Sequence, residues 1–134
     1  MPEPYVHHIR PRYAEVDIQR VVFNAHYLTY CDDAADLWFR HLGTDVEAGG
    51  WDIMVKKATV TWSGGATVHD DLAIAVEVVR WGNTSFDVQF AGTVEADPVF
   101  EAVLTYVAVE TGTKQTVRVP DAFRAAAGGP PSDG

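Results

Sequence analysis

The chain has 134 residues, enough for one domain around a single core. Ten basic against nineteen acidic residues leave a net charge of −9, which argues against a nucleic-acid backbone as the main partner, because such binding relies on neutralising phosphates. No run approaches the roughly 20 apolar residues of a membrane span, the opening Met-Pro-Glu-Pro lacks the basic and apolar regions of a secretory signal, and a single cysteine cannot staple the fold. A cytoplasmic protein with no membrane or nucleic-acid partner is therefore expected.

Residues 5–13 mix β-branched and aromatic side chains with His7, His8, Arg10 and Arg12, and predict a first strand. A loop over 15–23 leads into the clearest helix of the chain, 24–42. There Tyr27, Tyr30, Cys31, Ala34, Trp38 and Leu42 recur at three- and four-residue steps, with Leu28, Ala35 and Phe39 beside them. Asp32, Asp36 and Arg40 make a narrow polar stripe, so most of the helix is expected to be enclosed. Asn24 suits the N-cap and Gly43 the stop. At about 1.5 Å per residue this helix is roughly 27 Å long and needs a large partner surface.

After the polar connection 44–50 the period becomes alternating. Residues 52–63 predict a strand whose phase slips at Lys56-Lys57, the mark of a bulge. Ser63-Gly-Gly-Ala breaks it, and His69-Asp-Asp is a turn. Leu72, Ile74, Val76 and Val78 alternate up to Arg80, and Trp81-Gly-Asn-Thr makes a hairpin connection to a strand carrying Phe86, Val88 and Phe90. Ala96-Asp-Pro turns into a fifth strand with Phe100, Leu104 and Tyr106. Residues 117–119 form a candidate short sixth strand, 120–124 begin a short terminal helix, and 128–134 read as a disordered tail after a domain spanning 1–127. Hairpin-linked strands are antiparallel. The class is α+β, a long central helix wrapped by a curved five- to six-stranded antiparallel sheet.

The front of the chain carries a resemblance. Arg12-Tyr-Ala-Glu-Val-Asp17, three further residues, then Val21-Val-Phe-Asn-Ala-His-Tyr27 leading straight into the helix, resembles the hot-dog-fold acyl-CoA thioesterases, in particular the 4-hydroxybenzoyl-CoA thioesterase-like group. Less specific likeness continues at Ser85-Phe86 and at 117–124, so the resemblance spans about 5–124. Arg20 stands where the family usually has Gly, Val21 where many members have His, and Glu15 where Asp is commoner. These departures bear on the acyl pocket rather than on the catalytic acid.

By spacing alone, Asp17 reads as a loop acid that hydrogen-bonds its own turn. The resemblance implies that it is the catalytic base or nucleophile of thioester hydrolysis. It also implies that backbone N–H groups near Asn24, Ala25, His26 and Tyr27 polarise the carbonyl, since a helix N-terminus carries unpaired donors and favours negative charge. Glu15 reads as a solvated rim residue, Cys31 as a small core hydrophobe, and Tyr27, Tyr30, Trp38 and Phe39 as core first. Coenzyme A would bring phosphates to an acidic protein, and Lys57 and Arg80 are the candidate contacts. His7 and His8 point to opposite faces of a strand and no zinc spacing exists, so no metal is expected, and the thioesterase resemblance implies no organic cofactor. The family forms dimers, often paired again into tetramers, with each site between two subunits, and the same assembly is implied here. A non-catalytic binder of acyl or aromatic ligands and a thioesterase acting on acyl carrier protein stand as alternatives.

Overall fold

The computed structural model describes residues 4–43 and 49–129. The described elements run β1 (Tyr5–Ile9), a 3₁₀ turn (Tyr13–Glu15), α1 (His26–His41), β2 (Trp51–Trp62), β3 (Leu72–Trp81), β4 (Ser85–Val94), β5 (Asp97–Glu110) and α2 (Asp121–Ala126). The strands form one antiparallel sheet in the order β1-β3-β4-β5-β2. The alternation read from sequence places Leu72, Ile74, Val76, Phe86, Val88, Phe90, Leu104 and Tyr106 on the inner face, all buried. The opposite parity carries small and polar residues such as Ala73, Glu77, Asp87, Gln89 and Thr105. α1 lies along the inner face and reaches closest to β1 and β3.

The β2 bulge falls where the phase slip predicts it, between Val55 and Lys57. A second bulge, between Val78 and Arg80, is not visible in the sequence pattern. β1 is shorter than predicted, because Pro11 has no N–H to continue the ladder and the chain turns at Tyr13–Glu15. The candidate sixth strand does not form. Thr116 makes one bridge with Val109, and Val119 instead donates its N–H to the Asn83 carbonyl at 2.9 Å. Gly128 and Gly129 are held against the body, with the Gly129 N–H on the Arg124 carbonyl at 2.7 Å. Residues 130–134 of the predicted tail, and 44–48 of the predicted connection, lie outside the described residues.

α1 differs from expectation in two ways. Its N-cap position is Ala25, in helical conformation, and Asn24 makes no side-chain cap. The reason is the turn before it, in which His26 N–H bonds the Phe23 carbonyl at 2.9 Å and draws Ala25 into helical geometry. The exposed face is also broader than a stripe. Buried and exposed pairs alternate from Tyr27 on, and Leu28 and Leu37 are each 40% exposed. One protomer's sheet covers half of the helix and leaves the other half open. Gly43 adopts a φ of 74°, the left-handed stop that the sequence indicates.

α2 closes the other end of the core. Phe123 is buried between Trp38, Phe39, Trp51, Trp81 and Phe86. The buried Arg124 lies over the Trp81 ring and donates to the carbonyls of Gly82, Asn83 and Val119. Burial of the guanidinium pulls its pKa down from the ordinary value, and the carbonyls supply the acceptors that a buried cation requires.

Candidate functional site

Asp17 sits at the start of a tight hairpin. Its N–H bonds the Val21 carbonyl at 2.9 Å, the Arg20 N–H bonds the Asp17 carbonyl at 2.9 Å, and Val16 pairs with Val22. This is a three-residue loop closed by one left-handed residue. That residue is Arg20, at a φ of 66°. The place where the family pattern has Gly is thus a backbone position that favours Gly. The Asp17 side chain is half-buried, and its Oδ1 accepts the Gln19 N–H at 2.8 Å. The second carboxylate oxygen makes no hydrogen bond among the described residues.

The hairpin is fixed from two sides. Val22 donates to the Ala66 carbonyl at 2.8 Å, and Thr67 Oγ1 donates to the Arg20 carbonyl at 2.7 Å. A Cβ at Gly65 would lie 2.9 Å from Val21 Cγ1, so that glycine permits the close approach of the 63–67 segment. On the other side the Phe23 N–H bonds the Glu15 carbonyl at 3.0 Å. Glu15 is not the solvated rim residue that its sequence position suggests. Its side chain is 14% exposed, and Oε1 accepts both the Arg12 N–H at 2.8 Å and the Tyr30 hydroxyl at 2.9 Å. The Glu-to-amide bond three residues back is the returning half of a capping box, but Arg12 is not the Ser or Thr that would mark one in the sequence. Nothing local points to Tyr30.

The chain then enters α1. The amides of Asn24 and Ala25 precede the first bonded ones and have no hydrogen-bond partner among the described residues. The His26 ring is partly buried, edge-on to Phe23 at 6.1 Å. Tyr27 is 2% exposed, and its hydroxyl accepts the Ala66 N–H at 3.2 Å, so its side chain belongs to the core beneath the site. Burial pushes its pKa up. Unpaired amides, Asp17 and the 63–67 segment are therefore joined through a few hydrogen bonds. Such an arrangement can place a carboxylate and backbone donors around one polarised carbonyl.

Lys57 and Arg80 lie elsewhere, on the outer face of the sheet. The register Lys57–Thr105, Thr105–Asp87, Asp87–Arg80 puts them at opposite ends of a row across four strands. Arg80 is engaged by Asp87, Nε to Oδ2 at 2.9 Å and Nη2 to Oδ1 at 3.1 Å, and by Ser85 Oγ. Hydrogen bonding to Asp87 raises the Arg80 pKa, and Arg80 in turn lowers that of Asp87. A groove of about 720 Å³ opens at the far end of α1, against Tyr5, Trp38, His41, Leu42 and Ala126, and none of the candidate residues lines it. Among the described residues no group of three or more His, Cys, Asp or Glu is placed to hold a metal ion, and no helix is long and apolar enough to cross a membrane.

Residues 11–127 match the model of the thioesterase-like superfamily. The chain belongs to that superfamily. No curated protein matches it significantly. Among solved structures it is similar to a hypothetical protein from Aquifex aeolicus, with a TM-score of 0.86 at 17% identity over 92% of this chain and 99% of the other. A 1,4-dihydroxy-2-naphthoyl-CoA thioesterase from Synechocystis gives a TM-score of 0.82 at 15% identity, covering 92% of this chain and 94% of that one. A gentisyl-coenzyme A thioesterase gives 0.82 at 17% identity, covering 91% and 98%. At such identities these neighbours establish the fold alone, and the fold is the hot-dog fold, a curved five-stranded antiparallel sheet against one long helix.

Proposed function

We propose that this superfamily member hydrolyses acyl-CoA thioesters to a free acid and coenzyme A. The observation that carries the reading is the linkage between Asp17 and the start of α1. The acid and the unpaired Asn24 and Ala25 amides are held by one hairpin whose bonds run to Glu15, Ala66 and Thr67. In this reading Asp17 attacks the thioester carbonyl or deprotonates a water, and the amides stabilise the oxyanion that forms. The amides of His26 and Tyr27, expected from the resemblance to share this role, are engaged by the Phe23 carbonyl at 2.9 Å and the Asn24 carbonyl at 3.3 Å, so in this reading the oxyanion is left to the Asn24 and Ala25 amides. Superfamily membership and the two CoA-thioesterase neighbours support the substrate class, and both neighbours act on hydroxylated aromatic acyl groups by name.

The site is completed by a second copy of the chain. β2 is an edge strand of twelve residues, and an uncovered edge of that length favours strand addition. Around it and the Asp17 hairpin, Ile18, Phe23, Leu28, Val55 and Trp62 are exposed. A dimer, or a pair of dimers, would bury them. In this reading the exposed Lys57 meets a CoA phosphate directly, and Arg80 does so by exchanging Asp87 for it.

A thiol-trapping assay across short, long and aromatic acyl-CoAs tests the activity, with the same acyl group on a carrier protein alongside. A positioned acid–base group contributes roughly 10²–10⁴-fold, so Asp17→Ala and Asp17→Asn are expected to lower kcat at least about a hundredfold without changing the oligomer. Unchanged turnover in pure Asp17→Ala removes the assignment. One observation favours a second reading, a non-catalytic ligand binder: Asp17 Oδ1 is occupied by the Gln19 amide, as in a purely structural turn. Tight acyl-CoA binding with no thiol release by wild type would select it.

A further inference from the structure

Glu15 is a charged side chain, largely enclosed, that the hydrolytic reading does not use. Its contacts converge on the elements that reading needs. The carboxylate takes the Arg12 amide and the Tyr30 hydroxyl on one oxygen, while Oε2 faces the Arg12 guanidinium at 3.5 Å. Its backbone carbonyl takes the N–H of Phe23, the residue just before the Asn24 amide. Two residues on lies Asp17, on the same arm of the hairpin. Tyr30 is itself immobile, 1% exposed and packed edge-on against Tyr27 at 5.9 Å.

We infer that Glu15 is the positioning residue of the site: it clamps the hairpin bearing Asp17 to Tyr30 of α1, fixing the acid against the amides that open the helix. The inference rests on the hydrolytic reading for its catalytic consequence and on geometry for the clamp. Charge-assisted bonds to a carboxylate are the short, strong ones, and here two of them share one oxygen. Without them the 3₁₀ turn and the hairpin keep only backbone bonds to the helix entry. A displacement of about 1 Å in a reacting group costs on the order of a hundredfold in rate, so a clamp of this kind acts on kcat more than on KM. Glu15 does not serve as the base. Burial alone would raise its pKa, but the Arg12 amide, the Tyr30 hydroxyl and the Arg12 guanidinium together hold it below the usual carboxylate value. An acceptor that stays ionised and fully occupied suits holding rather than proton transfer.

Glu15→Ala, Glu15→Gln and Tyr30→Phe, each in the full-length chain, test this in two ways. Steady-state hydrolysis of the best acyl-CoA substrate should show kcat falling roughly thirtyfold or more in Glu15→Ala with KM within about threefold. Glu15→Gln keeps an oxygen for both donors and should recover to within roughly fivefold of wild type, with Tyr30→Phe between the two. Hydrogen exchange read by mass spectrometry should speed up over residues 16–23 in Glu15→Ala and Tyr30→Phe and stay unchanged in β4 and β5. Wild-type kcat in folded Glu15→Ala, or unchanged exchange in both variants, overturns the inference. Should Glu15→Ala fail to fold, Tyr30→Phe carries the same test, since it removes one bond of the clamp. If wild type hydrolyses no thioester, the catalytic consequence falls with the functional reading, and the exchange measurement still decides whether the clamp exists.

Discussion

Gly92 lies directly opposite Phe100 in the β4–β5 ladder, on the inner face of the sheet. A Cβ at this position would stand 2.3 Å from Phe100 Cε1 and 2.6 Å from Cδ1. The ring cannot swing into solvent, because Phe100 is 3% exposed and its centroid lies 5.0 Å from that of Tyr27. Gly92→Ala must therefore push Phe100 toward Tyr27, whose hydroxyl holds the Ala66 amide beneath the Asp17 hairpin. Overpacking of this kind costs about 1–3 kcal/mol. The lower entropy of the unfolded chain returns about 0.4–1 kcal/mol, leaving a net destabilisation of up to roughly 2.6 kcal/mol. With about 2.1 cal/mol/K of unfolding entropy per residue, a chain of 134 residues loses roughly 3.6 °C per kcal/mol, so Tm should drop by up to about 9 °C. The assay is a thermal melt at fixed protein concentration, because a dimer's Tm depends on it. Phe100→Leu added to Gly92→Ala should destabilise by less than the two single changes together, since the smaller side chain gives the new methyl room. A Tm for Gly92→Ala above that of wild type would refute the packing argument.

Three further expectations follow from single features. The Tyr106 hydroxyl is buried with no hydrogen-bond partner among the described residues, so Tyr106→Phe should stabilise the fold by about 1–3 kcal/mol in urea titration; a loss of stability would mean that assembly or ligand supplies a partner. Glu95 and Ala96 occupy the two-residue β4–β5 turn with φ of 50° and 70°, a geometry that favours Asn-Gly. Replacing the pair by Asn-Gly should add about 1–2 kcal/mol by relieving left-handed strain, read as a higher urea midpoint at an unchanged slope. Glu15 has a folded-state pKa below its ordinary value despite the opposing effect of burial. Its stabilising contribution is therefore complete above the unfolded-state value of about 4.3 and declines as pH falls through the lower folded-state value. Stability of wild type measured from pH 6 down to pH 3 should fall more steeply than that of Glu15→Gln; parallel curves would contradict this.

The site was legible in the sequence only where chemistry is local. The helix that follows Asp17 is marked by its apolar period and forms where that period places it, whereas the role of Asp17 comes from the resemblance and the hairpin that carries it is seen only in the structure. The hydrogen bond of Asp17 to its own turn, which residue type alone suggests, is also present. Asn24 does not cap the helix as its residue type suggests, because capping preference describes an isolated helix entry, whereas here the Phe23–His26 turn sets the backbone first. Glu15 is enclosed rather than solvated because its decisive partner, Tyr30, is fifteen residues away and reaches it only once the helix has docked. Lys57 and Arg80 stand at opposite ends of a row across four strands, and the Arg80 charge is engaged by Asp87.

What the amino-acid order determined by itself is the order of the long helix and the five strands, the inner face of β3, β4 and β5, the β2 bulge and the α+β class. Each of these depends on neighbours within a few residues, through the periods of helix and strand and the turn residues between them. Tertiary structure alone decided which strands adjoin, with β2 leaving its neighbours in sequence to pair with β5 at the edge. It also decided that the opposite half of α1 stays open and which partners hold Glu15, Tyr27 and Arg124. Those outcomes depend on groups that meet only after the sheet closes over the helix, and no local pattern in the chain records them.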